Sequence, residues 1–109
     1  MDSTPEKTEK KANPGVYEHT FREPFEYEGQ KYTKTIFNFG KLTGKDYLAI
    51  ENEMLDNNEF MITSESSRGF LYRLAGKAAG IGSDVLVAMP ISDFNKIVNA
   101  ARRFLLSTE

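Results

Sequence analysis

The feature that most constrains the fold is the placement of the aromatic residues. The chain carries eight Phe and five Tyr, and seven of these lie between residues 17 and 39: Tyr17, Phe21, Phe25, Tyr27, Tyr32, Phe37 and Phe39. Phe25 and Tyr27 are two apart, as are Phe37 and Phe39, which puts each pair on one face of a strand. Glu28-Gly29 stands between the two runs and supplies a tight turn with a residue free to take positive φ. The pattern predicts a β-hairpin over roughly 19–27 and 31–39. Pro24 lacks an N–H, so the first strand is an edge or is interrupted there. A lone hairpin is marginal in water, so its aromatic face must pack on something else.

Helices C-terminal to it answer that need. Thr43 with Asp46 three residues on forms a capping-box pattern. Tyr47, Ile50 and Met54 follow at helical spacing, and Asn57-Asn58 stops the run. A second helix is expected from near Ser64, with Glu65 in its first turn. Its apolar stripe is Phe70, Leu71, Leu74 and Ala78, and it ends at Gly80 or Gly82. Ser83-Asp84 caps a short helical turn, Val85 to Met89, for which a strand is the alternative. Ser92 is expected to cap the last helix, whose stripe is Ile91, Phe94, Ile97, Val98, Ala101 and Leu105. The fold class is therefore α+β: an N-terminal β-hairpin packed against three to four α-helices. Residues 1–15 hold three Lys against three acids, with only Met1 and Ala12 apolar. They are expected to form a disordered charged tail, leaving 16–109 as a single domain of modest core.

Composition removes several function classes. With 109 residues and a formal net charge of −2, the chain lacks the excess of Lys and Arg of a general nucleic-acid binder. It has no Cys and one His, so thiolate chemistry and His-rich metal sites are absent from the repertoire. No apolar run approaches the ~20 residues of a membrane span, and the charged N-terminus does not read as a signal peptide. An intracellular protein, in the cytoplasm, is expected. Charge is unevenly spread: residues 17–59 carry a net −4, and 60–91 and 92–109 a net +1 each.

Motifs for catalysis are weak. A Ser–His–acid triad has only His19 to use, and Ser64, Ser66 and Ser67 are explained as capping and loop residues. Glu51, Glu53, Asp56 and Glu59 scatter around a helix and its exit, as solvated acids do, and His19 with Glu26 and Glu28 is a poor metal set. The run from Gly76 to Ser83 superficially resembles a phosphate cradle, but its glycines fall at a helix end where the dipole repels phosphate. Gly76 inside a helix costs about 1 kcal/mol against Ala, so a close backbone contact is expected there. Lys31, Lys34 and Arg22 beside the hairpin aromatics suggest base stacking, but Glu18, Glu23, Glu26 and Glu28 crowd the same strands and repel a phosphate backbone. Phe104, Leu105 and Leu106 are consecutive, so at least one large apolar side chain points away from the core.

Three stretches together resemble the small tail assembly chaperones of tailed bacteriophages and prophages. They are Leu42-Thr43-Gly44-Lys45-Asp46-Tyr47-Leu48, Phe70 to Gly80, and Asp84-Val85-Leu86 through Met89, Asp93-Phe94 and Ile97 to Phe104-Leu105. The hairpin residues Phe25, Gly29 and Tyr32 fit as well, so the resemblance covers about residues 17–107. It implies a non-enzymatic protein without cofactor or metal. Such a protein binds the tape measure protein, keeps it soluble and helps to recruit tail tube subunits, and it is absent from the finished virion. The family's long and short frameshift-related forms would place this chain with the short ones. A client helix laid in an apolar groove is the expected mode of binding. The candidate partner-binding residues are Phe70, Leu74, Ile97, Ala101, Phe104, Leu105 and Leu106, with self-association kept open and neither nucleic acid nor membrane expected as partner. The alternatives are a minor structural tail or head-tail component and a small nucleic-acid-binding regulator.

Overall fold

A computed structural model of the chain describes residues 15–108. The tail expected over 1–15 lies outside the described residues except for Gly15, whose carbonyl accepts the Gly40 N–H at 3.0 Å and so belongs to the folded part. The hairpin pairs β1 (Val16–Tyr27) antiparallel with β2 (Gln30–Asn38). Both central turn residues take positive φ, Glu28 at 49° and Gly29 at 80°. That is the turn whose twist matches a two-residue hairpin loop. Pro24 has the effect expected of it: the register runs from Val16↔Asn38 to Thr20↔Lys34, breaks, and resumes at Phe25↔Tyr32.

The hairpin is followed by a single 3₁₀ turn (Phe39–Lys41) and four helices: α1 (Gly44–Asp56), α2 (Arg68–Ala79), α3 (Ser83–Ala88) and α4 (Ile91–Ser107). The architecture is α+β, a hairpin packed on four helices. α2 is its centre and packs on β2, α1, α3 and α4. Phe70, Leu71, Leu74, Ala75 and Ala78 are all buried along it. The aromatic face of the hairpin meets the helices through Phe21 and Phe37, while Phe39 stacks on Phe104 of α4 with centroids 5.5 Å apart.

Helix boundaries are set by local hydrogen bonds. Thr43 caps α1, and its N–H donates to Asp46 Oδ2 at 2.9 Å. At the other end Asn58 takes φ of 60° and Glu59 N–H donates to Met54 O at 2.8 Å, a left-handed stop. The second helix starts at Arg68, four residues later than the sequence suggests. Ser67, rather than Ser64, caps it by accepting from Phe70 N–H at 3.1 Å. Residues Ser64–Ser66 form only a 3₁₀ turn, and Arg102 takes the Glu65 carbonyl that a continuing helix would use. The stretch 83–88 is helical, which removes the strand alternative. α4 begins one residue before Ser92, with Pro90 at its N-cap position. Ile91, expected in the core stripe, is 76 % exposed, and Met89 on the other side of Pro90 is buried instead. Phe94 and Leu105 are half-buried, whereas Ile97, Val98 and Ala101 are buried as expected.

The close contact expected at Gly76 is internal. A Cβ there would stand 3.0 Å from Ile81 O and 3.5 Å from Ser83 Cα. The Gly76 carbonyl accepts the Ile81 N–H at 3.0 Å, and Gly80 adopts left-handed φ of 71°. The three nearest atoms facing the missing side chain are all backbone, so the chain leaving α2 cannot yield cheaply. Gly76→Val is expected to destabilise the fold by about 1–3 kcal/mol in denaturant melts.

Candidate functional site

α1 has two apolar stripes. Tyr47, Ile50 and Met54 form the inner one, where Tyr47 meets Phe70 with centroids 4.7 Å apart. Leu48 and Leu55 form a second stripe two helical turns apart, and both face solvent, at 58 % and 56 % exposure. Each end of this outer stripe opens into a depression. At the N-terminal end, Leu42, Tyr47, Leu48, Phe104 and Leu105 line a groove of about 430 Å³ between α1 and the end of α4. At the C-terminal end, Glu51, Leu55, Glu59, Phe60 and Met61 line a depression of about 240 Å³. Phe60, 81 % exposed, stands beside it because the left-handed turn at Asn58 throws the chain back over the helix end.

Only part of the expected binding surface is available. Of the candidate partner-binding residues, Phe70, Leu74, Ile97 and Ala101 are buried in the core of this fold. The cause is the central position of α2, whose stripe is covered on all sides, leaving Leu74 only in the floor of the groove. Phe104 and Leu105 are half-buried and line the groove, and Leu106 is exposed. Phe104 also stacks on Phe39, so it holds the fold as well as the groove. Leu48, Leu55 and Phe60 were not expected in the surface. Their signal was readable: Leu48 and Leu55 repeat at i, i+7 off the inner stripe, and Phe60-Met61-Ile62 is a consecutive apolar run, like 104–106.

The C-terminal end of the face is held by one cation. Arg73 of α2, 6 % exposed, donates through Nε to Glu53 Oε2 at 2.8 Å and through Nη1 and Nη2 to both Glu59 oxygens at 3.0 and 2.9 Å. A further bond reaches Gly69 O at 2.9 Å. These bonds hold the Glu59 carboxyl below its ordinary value of 4.5 and raise the Arg73 pKa. The Thr43 N–H similarly lowers the pKa of Asp46. Glu51 and Asp56 make no ion pair among the described residues.

A second polar cluster is buried between the hairpin and α4. The lone histidine, His19, is 2 % exposed and bonds Asp93 Oδ1 through Nε2 at 2.8 Å and the Tyr17 hydroxyl through Nδ1 at 2.8 Å. Burial raises the Tyr17 pKa, which keeps the phenol protonated. Among the described residues no serine bonds His19, and the cluster bridges strand to helix. His19 and Glu26 do not share a metal set, and no group of three or more His, Asp or Glu among the described residues is placed to hold a metal. Among the same residues no helix is long and apolar enough to cross a membrane.

No protein-family model, no curated protein and no solved structure matches the chain.

Two outcomes follow from the polar clusters. Asp93→Ala leaves the His19 Nε2 without its partner and is expected to cost about 1–3 kcal/mol. Adding His19→Leu to it is expected to cost less than His19→Leu alone, a coupling that a double-mutant cycle in urea measures. Glu59 has a lowered pKa in the folded state, so at acid pH the unfolded chain binds more protons there. Its contribution is fully present above the ordinary value of 4.5 and is lost as pH falls through the lowered folded value. Glu59→Gln is therefore expected to flatten the fall in stability below that pH, as read by urea midpoints across an acid series.

Proposed function

We propose that this protein is a non-enzymatic assembly chaperone that binds an extended helical client, of the kind serving tail formation in tailed phages. The client is then the tape measure protein, kept soluble in the host cytoplasm while tube subunits are recruited onto it. The observation that carries this reading is the outer face of α1 and the turn after it, where Leu48, Leu55 and Phe60 are each more than half exposed between an apolar groove at one end and a mixed polar and apolar depression at the other. Single exposed apolar residues are ordinary, but large ones gathered along one helix with depressions at both ends mark a contact surface. A helical client lays its own apolar stripe into such a surface through anchors spaced by one or two turns. The resemblance of the 42–48, 70–80 and 84–105 stretches to tail assembly chaperones supports the choice of client.

The test is co-expression with a tape measure protein from the same phage. The client is expected to become soluble and to co-purify. Leu48→Asp is expected to abolish that effect while changing stability by no more than about 0.5 kcal/mol, as for exposed sites. A client that stays insoluble with this protein in excess overturns the reading. Recovery of the protein from purified virions would instead assign it to the particle as a structural component.

A further inference from the structure

The face on α1 is charged unequally along its length, and this says what kind of helix it receives. At the N-terminal end Lys41 and Lys45 are exposed, and the helix dipole is positive there. Asp46, the acid of that turn, is engaged by the Thr43 backbone N–H. At the C-terminal end the dipole is negative, and Glu51 and Asp56 make no ion pair among the described residues. Glu59 beside Phe60 is tied to Arg73. Among the described residues no ion pair joins Glu51 or Asp56 to a base of another element, and the guanidinium that reaches this end is already matched by two carboxylates.

We propose that the occupant of this face is an amphipathic helix with Lys or Arg at the end that lies over Asp56 and Phe60, and Asp or Glu at the end that lies over Lys41 and Lys45. The proposal rests on the chaperone reading and specifies the client segment. The apolar stripe of this helix meets Leu48, Leu55 and Phe60. The 13 residues of α1 span about 20 Å at 1.5 Å per residue, so the docked segment is about four turns long. Leu48 and Leu55, about 10 Å apart along the axis, call for anchors at i and i+7 with one between. The charge at each end fixes the direction of the client on the face, because the reversed helix would set Lys against Lys and Glu against Glu. Opposite charges at the rim steer encounter and select orientation more than they add affinity.

The test uses a synthetic 16-residue peptide with Leu at i, i+3, i+7 and i+10, Lys at one end and Glu at the other. Its binding to the full chain is read by fluorescence anisotropy at low and high salt. Binding is expected to weaken with salt, and to fall about tenfold or more for Glu51→Lys with Asp56→Lys together. Leu48→Asp with Leu55→Asp is expected to remove it, with circular dichroism melts confirming that both variants fold. Replacing the Glu residues at the acidic end of the peptide by Lys, so that it carries one sign throughout, is expected to weaken binding by a similar factor. The proposal is overturned if the charge-reversed protein binds the peptide as tightly as the wild type. It is also overturned if a peptide with the same composition and no stripe binds equally well, or if sedimentation shows the face closed by a second copy of this chain. Peptide binding with the expected charge dependence, together with a tape measure protein that stays insoluble, removes the choice of client and keeps the helix-docking face. A tape measure protein solubilised equally by the charge-reversed variant does the reverse.

Discussion

Arg73 carries a full positive charge at 6 % exposure, which is tolerable only because every side of the guanidinium is bonded. Glu59 binds it in a two-pronged arrangement, Glu53 takes Nε, and the Gly69 carbonyl takes a further N–H. Removing one partner from such a buried cation leaves charge uncompensated, which costs far more than the pair contributes over an apolar substitute. The network therefore acts less as a source of stability than as a geometric clamp. It joins the last turn of α1, the chain reversal after it and the first turns of α2. Once those three are fixed, the inner stripe of α1 must face Phe70, and the outer stripe of Leu48 and Leu55 must face away.

The hairpin depends on a comparable fixation. Two strands alone cannot bury an aromatic face, and here that face is covered by α2 and α4. Phe39 on Phe104 and His19 on Asp93 are contacts between segments far apart in sequence, 65 and 74 residues respectively. Asp93 sits in the first turn of α4, where the dipole favours a carboxylate. His19 bonds Asp93 through Nε2 and the Tyr17 hydroxyl through Nδ1, so the three side chains form one connected cluster. The only histidine of the chain thus bridges β1 and the start of α4.

Much of this was legible from residue spacing, because the relevant signals are local. The Glu28-Gly29 turn, the capping box at Thr43, the stop at Asn57-Asn58 and the glycine end of α2 are all fixed by bonds spanning no more than five positions of chain. The start of α2 was misplaced for the opposite reason. Ser64 and Ser67 are equally good caps by composition, and the choice between them is made by Arg102, thirty-five residues beyond Ser67, which claims the Glu65 carbonyl. The same limit governed the site. Phe70, Leu74, Ile97 and Ala101 have the stripe expected of a binding helix and of a core helix alike, and only the placement of α2 at the centre decides between them. Leu48 and Leu55 carried a usable signal, an apolar pair on the far side of a helix whose core stripe was already accounted for.

That surplus is the physical basis for reading the face as a contact surface. Tyr47, Ile50 and Met54 already anchor α1, and Arg73 with Glu53 fixes its exit. Polar residues at 48 and 55 would leave those contacts intact and lower the tendency to associate. Phe60 and Ile62, almost fully exposed after the helix stop, add apolar area that the fold does not use. Charges of opposite sign at the two ends then give the face a direction, which a surface meant only to tolerate solvent has no need of. On the proposed reading, Leu48, Leu55 and Phe60 are accounted for by a docked helix whose own apolar stripe would otherwise be in water. The burial each side lacks alone is what the two would supply to one another in the proposed complex.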